Sequence, residues 1–486
     1  MLKSNEVENG NIYHEAHEGH EGFGNYYISI LFLRALRDLR GEMFVSILVA
    51  VCRAGSFVVN PFLVAARPRW GDGDESLTKE KKMIRPSELS WDEVVRVGPG
   101  TLGGNYLRCF WWPVALSEEV KDIPVPVQAL GEELVLFRDL SGGLALLGRH
   151  CTHRRASLEY GRIEEQGIRC AYHGWCYDRR GKIIDRPAEP IKTAPNIHHP
   201  WYPVQELSGF VFAYMGEAKD SPPPLPRYDV LVMDGYRIAE RGDTRLGKGY
   251  SCNWLQGAEN TTDTTHMTYL HGIYKQCPVF KAVEGDYGVK IFIVSHGSKP
   301  NTIQIRQRCT VLPSINRKSR EPWDEKSDGL GVSIQQAIWI LPIDDTHCEE
   351  MRLTVYPEPP EQKRYHGGYV EKARQRERKP YDRRFYGEIR GNIPLEDKAM
   401  VESQGAIVDR TLEHPGYGDR AILLLRKMLR EGIAEVANGG TPMGVLEKEQ
   451  DMIDLEIGLH EYEIDRVPEV LRDLIPEIER QVAKAS

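Results

Sequence analysis

Cys151 and His153 are separated by one residue, and Cys170 and His173 by two. Each pair offers a thiolate and an imidazole at short separation, so two short loops can close on a metal centre from opposite sides. A Cys₂His₂ set suits a zinc ion. It also suits a two-iron, two-sulfide cluster with both cysteines on one iron and both histidines on the other. In the second case the neutral imidazoles lower the negative charge of the cluster and raise its reduction potential above that of an all-cysteine cluster. Cys-x-His is a tighter spacing than most zinc ligand pairs use. Cys176 lies beside the second pair but fits no ligand position, and is read as structural.

A second constellation follows downstream. Asn260, Asp263 and His266 recur every third residue and would share one face of a helix. His271 lies about 140° further round an ideal helix than His266. The two imidazoles can meet one metal only where the helix ends or distorts between them. The threonine-rich run is a weak helix former, and Gly272 is a natural stop. Two histidines and one carboxylate, with coordination positions left open, form the facial triad of non-haem Fe(II) oxygenases. The open positions let dioxygen and substrate approach the metal.

Residues 151–175, CTHRRASLEYGRIEEQGIRCAYHGW, resemble the Rieske motif of bacterial ring-hydroxylating oxygenases, including the Gly174–Trp175 that follows the second histidine. NWLQGAENTTDTTHMTYLHG, residues 253–272, resembles their mononuclear-iron motif. RVGPGTLGGNYLRCFWWPVAL (96–116) and EDKAMVESQGAIVDRTLEHPGYGDRAILLLRKML (396–429) resemble the large (alpha) subunits of the phthalate 4,5-dioxygenase-like and phenoxybenzoate dioxygenase-like branch. The resemblance runs from about residue 83 into the C-terminal helices and does not cover residues 1–82. It departs at Arg155, where the family often has glycine.

The resemblance implies a Rieske [2Fe–2S] cluster on Cys151, His153, Cys170 and His173, and a mononuclear Fe(2+) on His266, His271 and a distant carboxylate. Asp397 is the choice for that carboxylate, with Glu396 and Glu402 as neighbouring competitors. Asp263 would be a carboxylate bridging toward a Rieske histidine of the next subunit in a homotrimer, and Asn260 an amide beside the iron. The chain would be the oxygenase component of a multicomponent enzyme. It would use O2 and electrons from NAD(P)H, passed by a separate reductase with or without a ferredoxin. The substrate would be a small aromatic carboxylate or aryl ether, to be hydroxylated, dihydroxylated or O-demethylated. Arg306 and Arg308 alternate on a strand-like run, and either an exposed position or a substrate carboxylate would suit them. A Rieske protein that only transfers electrons is the alternative reading.

The elements that position these residues read as an all-β region followed by an α+β one, an α+β fold class overall, and the resemblance implies that these are an N-terminal Rieske domain, residues 83–218, and a catalytic domain of the helix-grip type, residues 227–486. Short alternating runs such as Glu133–Asp139 and Leu144–Gly148 flank a Ser-Gly-Gly turn, as hairpin strands do. Ser221–Pro226 is rich in proline and is read as the linker. Strand-like runs follow at Lys290–Ser295, Gln335–Leu341 and Met351–Tyr356, and helical spacing at Asp419–Ala437 and over much of 446–482. Residues 313–331 are polar and are read as a surface loop. The Gly98–Gly103 run matches G-x-G-x-x-G but lacks the strand–turn–helix context of a nucleotide site.

Composition excludes several classes. A net charge of −8 over 486 residues gives no basic surface for nucleic acid. Nine cysteines, an odd number and sparse for this length, do not make a disulfide scaffold. The expected compartment is the cytoplasm. Residues 1–82 stand apart, either as a lineage-specific extension or as an incorrectly assigned start, with Met83 near the beginning of the family pattern. His14, His17 and His20 could bind metal but fit a polar, disordered start better. Within 43–66, Arg53 and Asn60–Pro61 interrupt an apolar stretch. That favours a packed or disordered extension over a membrane-spanning helix, without removing membrane association.

Overall fold

The computed structural model describes residues 83–485 apart from 191–195, 244–248, 274–276, 298, 321–333 and 358–392. It also describes the strands Val7–Glu8, Asn11–Ile12, Ile28–Arg37, Met43–Arg53 and Ser56–Val59. The chain divides into two units, Met1–Lys81 and Lys82–Ser486. In the first, the last three of those strands pair as an antiparallel sheet. The apolar stretch from Met43 thus begins as a paired β-strand. Among the described residues no helix is long and apolar enough to cross a membrane.

The second unit begins with small antiparallel sheets. Val125–Ala129, Glu132–Arg138, Leu144–Gly148 and Trp201–Tyr202 form one. Trp111–Leu116, Phe210–Tyr214 and Val204–Leu207 form another. Their apolar residues alternate inward: Leu134, Leu136, Leu146, Trp112 and Phe210 are buried in one core. The strands Arg162–Glu164, Gly167–Arg169, Cys176–Tyr177 and Ile183–Asp185 make a third sheet, which carries a separate small core around Cys151, Leu158, Ile168, Cys170 and Tyr177. The Gly98–Gly103 run is a turn into the helix Leu102–Leu107, whose N-cap Thr101 accepts from Gly104 N at 3.0 Å.

An eight-stranded antiparallel sheet dominates the rest. Its order is Tyr236–Asp243, His347–Pro357, Ile334–Asp344, Ile315–Arg320, Thr302–Val311, Gly288–His296 and Val279–Gly285, with Gly458–Glu463 pairing beside Thr302–Val311. Trp339 lies on one face, with its ring 5.9 Å from Phe210 and 6.0 Å from Phe212, so this face packs on the N-terminal strands. Ile340 lies on the other face, against Gly257 of the helix Trp254–Thr262. The long helix Arg420–Ala437 also belongs to the common core through Leu425, Leu429 and Ile433.

Two expectations need correction. Residues 315–320 are a strand inside the sheet, with Asn316 and Arg317 buried, and no surface loop. Its polar side chains are bonded: Arg317 makes a two-pronged ion pair with Asp229 at 2.9 and 2.8 Å. The rest of the supposed loop, 321–331, lies outside the described residues. The region 446–482 is helical only from Ile475 onward, apart from short 3-10 turns. Gly458–Glu463 is drawn into strand form by pairing with residues 302–307, where ladder hydrogen bonds override local propensity.

Candidate metal centres

Cys151 and His153 sit in the connection from the strand Leu144–Gly148 to the third small sheet, and Cys170 and His173 in the loop between that sheet's strands Gly167–Arg169 and Cys176–Tyr177. Cys151 N donates to Ala156 O at 2.9 Å, Arg155 N to Cys151 O at 2.8 Å, and Gly174 N to Cys170 O at 3.0 Å. Two tight turns result, one per pair. Gly174 has φ +76°, and a Cβ there would meet Pro187 Cγ at 2.7 Å. Arg155 holds φ +63°. This left-handed conformation explains why glycine suits the position, and it costs a larger residue about 1 kcal/mol. Both cysteines are buried, whereas the histidines reach the surface. The His153 and His173 rings stand edge to face at 4.6 Å, and His153 stacks on Trp175 at 4.7 Å.

Burial pushes the Cys151 thiol up, and the Tyr177 hydroxyl at 3.0 Å and the His153 amide only partly offset it. A buried thiol in this state becomes a thiolate when a metal binds it. The four donors do not converge on one point. Among the described residues, the only group of three or more metal-ligand side chains whose donor atoms all lie within 4.8 Å of one another is elsewhere in the chain. A single tetrahedral ion would draw four donors that close. Inner thiols and outer imidazoles as two separate pairs fit a two-iron cluster.

That other group is His266, His271 and Asp397. The helix Trp254–Thr262 ends at Asp263, which has extended backbone. A one-turn helix, His266–Tyr269, follows, and Gly272 at φ +65° lies just beyond His271. The break expected between the two histidines is there, since the helix carrying His266 ends at Tyr269, and a second break at Asp263 precedes it. Asp263 stabilises this second break: its carboxylate accepts from Thr265 N at 2.7 Å, and its Oδ2 lies 3.0 Å from His266 Nδ1. Arg308, buried, donates to the carbonyls of Thr262 and Asp263 at 2.8 Å each, so it braces the broken helix end.

With Nδ1 held by Asp263, His266 turns Nε2 toward Asp397 Oδ1, 3.6 Å away. His271 turns Nε2 toward the same oxygen at 3.0 Å, while its Nδ1 lies 2.6 Å from Glu396 Oε2. Adjacent carboxylates of the helix Ile393–Ser403 thus take opposite sides of one imidazole. Asp397 joins the triad, and Glu396 orients the ring from behind. Glu402 is turned away and accepts from Ser251 N at 2.7 Å.

Burial pulls the His271 imidazole down, but Asp397 and Glu396 outweigh it and leave its pKa raised. Burial pushes Asp397 up, yet the bond to His271, the charge of His266 and an amide bond from Asn260 hold it below the ordinary carboxylate range. Burial also raises Asp263, and His266 with the backbone amides more than offsets this. Together these groups form a partly buried cluster that favours positive charge, with nitrogen and oxygen donors of the kind Fe(II) takes.

The sequence comparisons agree. A family model for the Rieske [2Fe-2S] domain matches residues 110–195. The oxygenase subunit of a tert-butanol monooxygenase / tert-amyl alcohol desaturase from Aquincola tertiaricarbonis is 33% identical over 393 residues, 73% of this chain and 78% of that protein. This chain belongs to the Rieske oxygenases. The alpha subunit of phenoxybenzoate dioxygenase from Ectopseudomonas oleovorans is likewise 33% identical, covering 74% of this chain and 88% of its own. The solved structure of NdmA from Pseudomonas putida CBB5 with caffeine shares the fold at a TM-score of 0.53 and 20% identity, covering 71% of this Rieske oxygenase and 98% of NdmA. The cofactors of the family are a Rieske [2Fe–2S] cluster and a mononuclear iron, and both donor sets described here fit them.

Two features escaped sequence reading. Tyr177, within hydrogen-bond reach of both Cys151 Sγ and Thr152 Oγ1, carries no motif signature. Glu396 was visible only as a rival ligand.

Proposed function

We propose that this oxygenase subunit hydroxylates, dihydroxylates or O-demethylates a small aromatic carboxylate or aryl ether. It would draw electrons from a separate reductase, with or without a ferredoxin. The observation that carries the reading is the convergence of His266, His271 and Asp397 in a chain that also holds a Rieske domain. An electron-transfer protein needs no second site of this kind. The substrate class follows the phenoxybenzoate relative, whose name describes an aryl ether bearing a carboxylate.

In this reading Cys151, His153, Cys170 and His173 hold the cluster in the segment 83–218. His266, His271 and Asp397 hold the iron in 227–486. The bound metals supply single-electron transfer and dioxygen activation. The protein groups do the rest. Asp263 and Glu396 fix the tautomers of His266 and His271, so both Nε2 atoms face Asp397. Asn260 donates to Asp397 and adds to the hold that His271 and His266 exert on that carboxylate's pKa. Arg308 secures the helix end that carries the set. In a homotrimer, Asp263 would also meet a cluster-ligand histidine of the neighbouring subunit.

The test is to purify the full chain anaerobically and assay iron, acid-labile sulfide and oxygen uptake with phenoxybenzoate and a reductase. About three irons and two sulfides per chain are expected, with a Rieske visible spectrum. Substrate-dependent oxygen uptake should accompany them. About two irons and no uptake would leave an electron-transfer protein.

A further inference from the structure

The sheet face turned toward the triad carries charge that the metal ligands do not use. Asn316 Nδ2 donates to Thr261 O at 2.7 Å, and Thr310 Oγ1 lies 3.0 Å from Thr262 Oγ1. These bonds show which face of the sheet meets the site helix. Side chains alternate along a strand, so Lys318 shares that face with Asn316. So do its register partners Gln336 and Thr354, and Arg352 in the next row.

The polar groups around Lys318 are matched to one another. Gln336 Nε2 donates to Thr354 Oγ1 at 3.0 Å, Tyr250 OH to Glu350 Oε2 at 3.0 Å, and Arg352 Nε to Glu350 Oε1 at 3.0 Å. Lys318 differs. Among the described residues its ammonium has neither a hydrogen bond nor an ion-pair partner. Protein surrounds it, although part of its surface remains open to a solvent-sized space. Its charged neighbours are Arg352 and Arg308, which repel it, and Glu350 and Asp397, which attract it. Burial first, then the two arginines, pull its pKa down to about 8. An enclosed cation with no ion-pair partner among the described residues is costly to the fold. The cost is removed when a ligand brings the anion.

Position adds to this. Two residues along a strand span about 6.6 Å, so Lys318 lies roughly one aromatic ring beyond Asn316, whose bond reaches the residue next to Asn260. We infer that Lys318 binds the anionic group of the substrate, with the reacting ring lying between it and the His266–His271–Asp397 triad. The inference rests on the oxygenase reading and narrows its substrate to an anion such as an aromatic carboxylate. It disfavours a neutral alcohol of the kind named for the tert-butanol relative.

The experiment is calorimetric binding of 3-phenoxybenzoate and 3-phenoxybenzamide to the anaerobic holoprotein. The wild type is expected to prefer the carboxylate by about tenfold or more, the size of one charge-assisted bond. Lys318→Met should erase the preference and leave amide binding where it was, while Lys318→Arg should retain it. Lys318→Gln gives the same readout with a polar side chain and guards against a variant that fails to fold, which loss of the Rieske spectrum would reveal. A preference that survives in both Lys318→Met and Lys318→Gln overturns the assignment of Lys318 but leaves the anionic substrate standing. A wild type that binds both ligands alike, or neither, overturns the anion itself. Iron content and oxygen uptake report on the oxygenase reading independently of either result.

Discussion

His271 sits between two carboxylates that are neighbours in sequence and opposites in role. Asp397 faces its Nε2 and Glu396 its Nδ1. Removing Asp397 takes a donor from the triad, so Asp397→Ala should lower iron from about three to about two per chain with sulfide unchanged. Removing the charge of Glu396 only loosens the ring. Glu396→Gln should keep the iron but weaken its hold by about 10–100-fold, read by chelator competition. Another buried imidazole gives a pH prediction. His199 Nε2 lies 2.6 Å from Gly148 O, its Nδ1 has no hydrogen-bond partner among the described residues, and burial lowers its pKa to about 4. The unfolded chain binds a proton on this side chain near pH 6.5, and the folded chain resists it. Its contribution is therefore complete above pH 6.5 and is lost as the pH falls toward 4. At pH 5 the loss should be about 2 kcal/mol relative to pH 7.5. Urea midpoints should show a smaller fall in His199→Phe.

At the scale of elements, legibility depended on how local the signal was. The hairpin strands around Ser141–Gly143 and the helix ending at Ala437 were visible because alternation or helical spacing runs unbroken through them. The strand Ile315–Arg320 was not, because its inward positions are polar and their partners are remote: Asp229 for Arg317, Thr261 for Asn316. Lys318 was hidden with them. The metal motifs were legible for the opposite reason, since six of the seven proposed ligands fall into three pairs a few residues apart. Glu396 and Asp397 needed the family pattern, because 125 residues separate Glu396 from His271. The Arg317–Asp229 pair can be tested as an element-level brace, since it ties the large sheet to the short helix Asp229–Val232. Asp229→Ala strands a buried guanidinium and should cost about 3–5 kcal/mol in denaturant unfolding. Replacing both residues with apolar side chains of similar volume should recover most of that loss, because the pair's desolvation penalty vanishes with it.

Across the second unit, the large sheet has the strands Trp111–Leu116 and Phe210–Tyr214 on one face and the helices that carry the His266–His271–Asp397 triad on the other. Such a partition gives each donor set its own support: the loops of the two Cys–His pairs close over a separate small core, and the triad rests on a broken helix. Asp263 stands at that break. Its inner contacts are complete, with Thr265 N and His266 on its two oxygens, yet its side chain remains 18% exposed. An asparagine there can still accept from Thr265 N through its amide oxygen, so the fold and the iron site should persist. It cannot hold His266 with a negative charge or, in the proposed homotrimer, offer the same charge to a neighbouring subunit. Asp263→Asn should therefore keep both metals by iron and sulfide assay, while reoxidation of the reduced cluster in single turnover slows by at least about tenfold. Unchanged turnover with both metals retained would remove Asp263 from the path between subunits and leave it only the structural work of ending the helix.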